Sequence, residues 1–273
     1  MKSFDYLKPA TTVAAAALLA EHDDAKILAG GMTLLPTMKQ SLAAPVAIID
    51  LSAVAALREI AFDEGVLVIG AMARHCDVAS SALVRTHIPG LASLAAHIGD
   101  PQVRHRGTIG GSAANNDPAA DYPAAILALD ATVITTERTI PADAFFVDMF
   151  ETALEAGEIV TGFRVPVPDM AAYAKFRSPA SRYAIVGVFV ARTAGKVRVA
   201  VTGAASSVFR ATDIETALQE RFDPDALSRV SLDPSGLNSD IHADREYRAN
   251  LVMVMARRAV AAALRNADES ATK

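Results

Sequence analysis

Two glycine pairs eighty positions apart, Gly30-Gly31 and Gly110-Gly111, restrict this chain more than any other feature. The first lies in Leu28-Ala-Gly-Gly-Met-Thr-Leu-Leu35, directly after a short apolar run; the second lies in Arg106-Gly-Thr-Ile-Gly-Gly-Ser112. Without a Cβ, paired glycines reach positive φ and let backbone amides approach an anion closely. Successive N–H groups turned inward form a nest that suits a pyrophosphate, and Thr33, Thr108 and Ser112 add hydroxyl donors beside it. A tight turn would explain either pair alone. Two pairs, each followed closely by Thr or Ser, are what a long dinucleotide with a charged diphosphate requires. Neither fits the commoner nucleotide signatures, since no G-x-G-x-x-G follows a strand and no G-x-x-x-x-G-K-[ST] occurs. A Rossmann or P-loop assignment is unsupported.

The rest of the composition narrows the function by exclusion. The 273 residues suit one large domain or two smaller ones. Net charge is −5, with both signs scattered and no basic cluster, which argues against nucleic acid. No apolar stretch approaches the ~20 residues of a membrane span, and the alanine-rich run 13–20 lacks the features of a signal peptide. The expectation is a soluble, cytoplasmic protein. One cysteine, Cys76, allows no internal disulfide and cannot by itself hold an iron–sulfur cluster, which takes about four. Cys76 reads as a small buried apolar residue. The six histidines show no zinc spacing. H-E-x-x-H, G-x-S-x-G and S-x-x-K are absent. What remains is a ligand cradle without an evident acid, base or nucleophile, as in a flavoprotein, where the cofactor carries the chemistry.

Patterning predicts a helix over 11–22 with an apolar face of Val13, Ala16, Ala17 and Ala20, capped by Thr11 or Thr12. Strands are predicted at 26–29, 46–51 and 66–69, with a helical turn at 34–40 between the first two. Residues 78–99 read as two helical pieces, and 100–116 as a long loop. Asp117 can cap a helix with Pro118 at its first position, running to about Leu129. A hairpin follows at 131–135 and 139–140, then a strand at 158–166. After Pro168 the pattern changes to antiparallel strands at 173–177, 184–192 and 197–204, with Ala194-Gly195 as a turn. Helices return at 214–220 and 246–266, and a domain boundary is placed near 170.

Among the polar residues, Asp117 reads as a cap, whereas Asp121 suits a cap or an acceptor for a ribose or adenine group equally. Lys175 reads by default as a solvated strand residue, or else as a positive charge near a flavin. Arg104, His105 and Arg106 form a short basic patch, solvated or turned towards a negative cofactor or partner. His75 and His97 read as core or loop histidines rather than bases.

Taken together, Ala29-Gly-Gly-x-Thr-Leu-Leu-Pro-x-Met-Lys39, Ile98-Gly-Asp-x-Gln-Val-Arg104, Gly107-Thr-Ile-Gly-Gly-Ser112 and Asp117-Pro-Ala-Ala-Asp121 resemble the FAD-binding medium subunit of molybdenum hydroxylases. Carbon monoxide dehydrogenase and xanthine dehydrogenase represent that family. The likeness continues through Phe145-Phe146, Thr152-Ala-Leu154, Glu158-Ile-Val160 and Tyr173-x-Lys175 to Asp240-Ile-His-Ala-Asp-x-x-Tyr-Arg248, and so spans the chain. It implies an α+β protein: a two-part FAD-binding domain of the vanillyl-alcohol-oxidase (PCMH) type over 1–169, split near 52–60, and a small C-terminal domain over 170–273 with an antiparallel sheet. It also implies that Ile27, Leu28, Ala29, Gly30, Gly31, Met32, Thr33 and Leu34, with Thr108, Ile109, Gly110, Gly111 and Ser112, hold the diphosphate and ribityl region. Ile98 would lie near the ring system and Asp121 near the adenosine half, with Val160 and Lys175 completing the site. Two departures stand out: Ser112 where many relatives have Asn, and Met32 where many have a polar residue.

The implied role is electron transfer within a three-chain complex. A molybdopterin-binding large subunit holds the molybdenum cofactor, and a small subunit carries two [2Fe–2S] clusters. The FAD of this chain would pass electrons singly to an external acceptor, in what is expected to be a dimer of heterotrimers. The lone cysteine counts against the 4-hydroxybenzoyl-CoA reductase branch, whose equivalent subunit carries an iron–sulfur insertion. A stand-alone flavin oxidoreductase of the same fold and a non-redox assembly module are the competing readings.

Overall fold

The structure is a computed structural model that describes residues 1–271. Its first layer is a parallel sheet of β1 (Asp5–Leu7), β2 (Ala25–Leu28) and β3 (Ala47–Asp50), in the order β1-β3-β2. Parallel neighbours need crossovers, supplied by α1 (Thr12–Glu21) and α2 (Leu34–Lys39). The Thr11 side chain accepts from the Ala14 amide and starts α1 as expected. The apolar face of α1 differs from the expectation. Ala15 is fully buried, with Ala16, Leu18 and Leu19 packed beside it, while Val13, Ala17 and Ala20 face solvent. Alanine fits either side of a helix, so the two leucines decide which side packs. All four residues of the central strand β3 are buried, as a strand covered on both faces must be.

The second layer is antiparallel: β4 (Ile60–Asp63), β5 (Val66–Gly70), β6 (Thr132–Thr135), β7 (Thr139–Pro141) and β10 (Val160–Pro166), in the order β4-β5-β10-β6-β7. Phe163 pairs with Ile69 on one side and Val133 on the other, and Val165 pairs with Leu67. Those side chains form one core with Leu91, Leu94, Ile126 and Phe145. The region read as two helical pieces is three: α3 (His75–Ser80), α4 (Ala82–His87) and α5 (Pro89–Ala96). Ser81 caps α4, and Pro89 opens α5 rather than merely ending its predecessor. Residues 100–116, expected to be loop, contain α6 (Pro101–Arg104) and α7 (Ile109–Asn115). The helix expected from Pro118 begins later, as α8 (Tyr122–Ala128), because the Asp117 carboxylate accepts from the Ala119 amide and closes a tight turn instead. A short helix α9 (Ala142–Phe145) leads into the two-stranded ribbon β8 (Phe146–Asp148) and β9 (Glu151–Thr152).

The third layer holds β11 (Met170–Arg177), β12 (Ala184–Thr193), β13 (Lys196–Thr202) and β14 (Phe209–Arg210), antiparallel and in sequence order. Ala194 and Gly195, both at positive φ, make the expected β12–β13 turn. Residues 184–191 of β12 are all buried, because both faces of the sheet are covered. Phe189 and Ala191 join the second-layer core, whereas Val186, Val188 and Val190 join a separate core with α10 (Thr212–Glu220) and α11 (Arg245–Ala271). The period-2 alternation of a strand divides the side chains between these cores. No described helix is long and apolar enough to cross a membrane.

Candidate functional site

The two glycine segments meet edge to edge. Beyond β5, residues 71–75 run alongside 107–110: the Ile109 amide donates to the Ala73 carbonyl, the Gly110 amide to Ala71 and the His75 amide to Gly107. This ladder carries the second glycine segment out to the first. A Cβ on Gly30 would stand 2.1 Å from the Arg106 carbonyl oxygen, and one on Gly110 would stand 2.6 Å from that of Ala71. At Gly111 the space is less tight, with Ala29 Cβ 3.3 Å away. Gly30 and Gly110 are therefore required first by close packing against backbone, and that packing aligns both segments along one cleft.

The cleft has a volume of about 830 Å³, towards the upper end of the ~300–1,000 Å³ usual for cofactor sites. Ile27, Ala29, Gly30, Gly31, Met32, Thr33, Leu34, Ile98, Thr108, Gly110, Gly111, Ser112, Asp121 and Val160 all line it. Of the residues singled out from the sequence, Leu28, Ile109 and Lys175 do not. Ile109 is buried in the core, and Lys175 stands behind Asp121.

The donors differ from the expected pair of equal nests. The second segment is the first turn of α7, capped by Thr108 Oγ1, which accepts from the Gly111 amide at 3.1 Å. The amides of Ile109, Gly110, Gly111 and Ser112 are all engaged within the protein. What that segment offers a ligand is close approach, the Thr108 and Ser112 hydroxyls and the positive end of a short helix. The first segment is different. Gly31 takes φ +74°, and among the described residues no protein acceptor engages the amides of Gly31, Met32 or Thr33. Free amides on one side and hydroxyls on the other remain a suitable cradle for a diphosphate.

The cleft has two distinct ends. One is formed by Lys26, Ile27, Thr37, Leu51, Met72 and Ile159, beside the parallel sheet. The other lies against the C-terminal sheet, where Lys175 Nζ donates to Asp121 Oδ2 at 2.8 Å and to the His97 carbonyl at 3.3 Å. Asp121 heads α8 without capping it, because its carboxylate is turned to Lys175 and to the Tyr173 hydroxyl. Arg104 braces the adjoining turn through the carbonyls of Ile98 and Gly99, so it is neither simply solvated nor free to face an anion. The His97 carbonyl, next to Ile98, and the Asp121 carboxylate thus meet at one lysine, which draws together two residues expected at opposite halves of the ligand.

Three further groups shape the electrostatics. His75 is buried in the cleft wall with its ring where a Gly107 Cβ would be, 2.4 Å from Nε2. Burial, and then the charge of Arg104, lowers its pKa to about 4, and its Nδ1 has no partner among the described residues. Glu158 lies buried in the wall, and the Arg138 hydrogen bond is the chief cause of its pKa of about 2. Cys76 is half-exposed rather than buried, and burial together with the Asp77 carboxylate raises its thiol pKa, so it is not activated. From the sequence His75 reads as a core or loop histidine and Tyr173 carries no role of its own. Nothing local to either residue signals the cleft, since their places depend on partners 32 and 52 positions away.

The family described as the FAD binding domain in molybdopterin dehydrogenase matches residues 2–168. The chain is 35% identical over 269 residues to the nicotine 6-hydroxylase medium subunit of Paenarthrobacter nicotinovorans, covering 93% of this chain and 95% of that one. It is 34% identical over 280 residues to the carbon monoxide dehydrogenase medium chain of Hydrogenophaga pseudoflava, covering 95% and 96%. Among solved structures, quinoline 2-oxidoreductase from Pseudomonas putida 86 superposes with a TM-score of 0.87 at 29% identity, over 98% of this chain and 99% of that chain.

Proposed function

The chain belongs to the family of FAD-binding domains in molybdopterin dehydrogenases, and from that premise we propose that it receives electrons from the [2Fe–2S] clusters of a small partner subunit and delivers them to an external acceptor. It is the FAD-containing subunit of an oxidoreductase complex. The organic substrate belongs, in this reading, to a molybdopterin-binding large subunit. The three chains form a dimer of heterotrimers. We divide the chain at 169/170 and its first part near 52–60, between the parallel sheet ending at Asp50 and the antiparallel one beginning at Ile60.

The observation that carries the reading is the single cleft built by both glycine segments, with free amides on one side and hydroxyls on the other. Gly31, Met32 and Thr33 would bind the diphosphate through their amides, while Thr108 and Ser112 would donate from across the cleft. The tight glycine packing leaves no room for side chains along that line. The orphaned Nδ1 of His75 and the positive φ of Gly31 fit a cleft shaped for a ligand. FAD supplies one- and two-electron redox chemistry when bound. Asp121, held from behind by Lys175, and Ile98 would orient the ring system at the C-terminal end, leaving Lys26, Ile27 and Val160 for the adenosine half. Neither a general base nor a proton donor at a reacting carbon is needed from this chain, and His75, with its pKa lowered to about 4, is the uncharged imidazole at pH 7.

The test is to purify the chain alone and assay bound FAD by its absorbance near ~450 nm together with iron content. One FAD and no iron are expected. Mixing with the chemically reduced iron–sulfur subunit should then reduce the flavin without any organic substrate. A well-folded chain that takes no FAD would sink the reading. A chain that takes FAD but is not reduced by that subunit would sink only the electron-transfer role and favour an assembly module.

A further inference from the structure

Asp121 is where the cleft and the C-terminal sheet converge, and its two oxygens are held from one strand. Tyr173 and Lys175 are two apart on β11, so both side chains leave the same face. Lys175 Nζ takes Oδ2, and the Tyr173 hydroxyl takes Oδ1. Space for that hydroxyl comes from the neighbouring strand. Gly187, opposite Lys175 in register, has no Cβ, and one built there would stand 2.1 Å from the Tyr173 oxygen. The phenol is therefore wedged between a glycine and a carboxylate.

We propose that Tyr173 is a positioning residue for the flavin: with Lys175 it holds Asp121 aimed into the ring-system end of the cleft as a hydrogen-bond acceptor. This rests on the FAD reading above. An ionised carboxylate offers about four acceptor sites, and the protein uses two, leaving others for the ribityl hydroxyls or the imide N–H of a flavin. Burial is the largest influence and holds the Asp121 carboxyl above the usual range; Lys175 opposes this most, then the Tyr173 hydrogen bond, then His97, so losing the Tyr173 hydroxyl raises it further. The titratable and charged groups facing Asp121 are Lys175 and Tyr173 on β11, His97 at the end of α5, and Tyr183 and Tyr122 nearby. Of these, Tyr173 alone fixes the direction of Oδ1.

A purely structural role, fastening the sheet to the segment before α8, is already filled. Thr202 Oγ1 donates to the carbonyls of Pro118 and Ala120, and the Gly203 amide donates to Pro118. Removing the Tyr173 hydroxyl should leave that docking intact.

The experiment titrates FAD into the full chain by fluorescence quenching from about pH 5 to 9, with the wild type, Tyr173→Phe and Gly187→Ala compared. Loss of a hydrogen bond to a charged group should weaken FAD binding by about tenfold at neutral pH. It should also move the acid limb of the affinity profile to higher pH, with the thermal midpoint of the FAD-free chain unchanged. Gly187→Ala, whose Cβ displaces the unaltered phenol and also meets Thr202 Cγ2 at 2.9 Å, should reproduce the moved limb. An unchanged profile in Tyr173→Phe, with the wild type binding normally, overturns the positioning role alone. So does weakening that is equal at every pH and matched by lost stability. A wild type that binds no FAD at any pH overturns the flavin reading and this role with it.

Discussion

Gly30 and Gly111 come one from each glycine pair, and the structure gives them unequal tasks. A Cβ on Gly30 meets the backbone of Arg106 and Gly107, which cannot step aside without breaking the ladder from 71–75 to 107–110. A Cβ on Gly111 meets Thr108 Oγ1 at 2.9 Å and the Ala29 methyl, both of which can shift slightly. Overpacking of the first kind costs ~1–3 kcal/mol. Gly30→Ala should therefore weaken FAD binding about a hundredfold and Gly111→Ala no more than about tenfold, as measured by isothermal titration. Equal losses would mean the segments act as matched nests after all. Glu158 makes a second residue-level prediction. Its pKa is lowered from the usual carboxylate value to about 2, chiefly by Arg138. Its contribution to stability is therefore complete above about pH 4.3 and is lost as pH falls towards 2. Glu158→Gln should flatten the acid limb of thermal stability in that window and leave the slope at neutral pH unchanged.

At the scale of elements, α7 shows what a sequence conceals. Gly110-Gly111 reads as a loop, because glycine is a poor helix former. The helix forms because Thr108 caps it and because Ile109 and Ala113 are buried in the core on its inner face. Thr108→Ala should cost about 1 kcal/mol and raise hydrogen exchange at the amides of Gly111 and Ser112, with Thr108→Ser restoring protection. Protection that survives in Thr108→Ala would show that packing alone holds the turn. The strands were more legible. Period-2 alternation placed β11, β12 and β13, and the Ala194-Gly195 turn between the last two. Short β1 and β4 escaped, since three or four residues carry too little pattern. For the site, the motif residues were legible because they are consecutive and chemically distinctive. The ladder behind Gly107, the His75 ring beneath it and the Tyr173–Asp121 contact were not, because each joins residues that only the fold makes neighbours.

The whole molecule depends on a sheet shared by two cores, and Arg198 is one of the polar contacts at that junction. It rises from β13 with only 4% of its surface exposed. Its guanidinium donates through Nε and Nη2 to the Leu127 carbonyl, near the last turn of α8, and pairs with Asp130 and Asp143. One side chain thereby caps a helix of the flavin layer, balances two of its carboxylates and fixes the C-terminal sheet against it. Removing one partner from a fully buried ion pair costs ~3–5 kcal/mol. Here the two aspartates are 49% and 46% exposed on their side chains and can recover water, so the main loss is the stranded Leu127 carbonyl. Arg198→Leu should lower unfolding free energy by about 1–3 kcal/mol, read from urea denaturation. Because Asp121 meets Tyr173 and Lys175 across the same junction, the variant should also release FAD more readily and expose the 166–170 connection to protease. Arg198→Lys should recover the charge pairing but not the forked bond to Leu127, and so fall between the two. If Arg198→Leu loses stability while keeping wild-type FAD affinity and protease resistance, the sheet is docked by its apolar face and its other hydrogen bonds, and the cleft is insulated from Arg198.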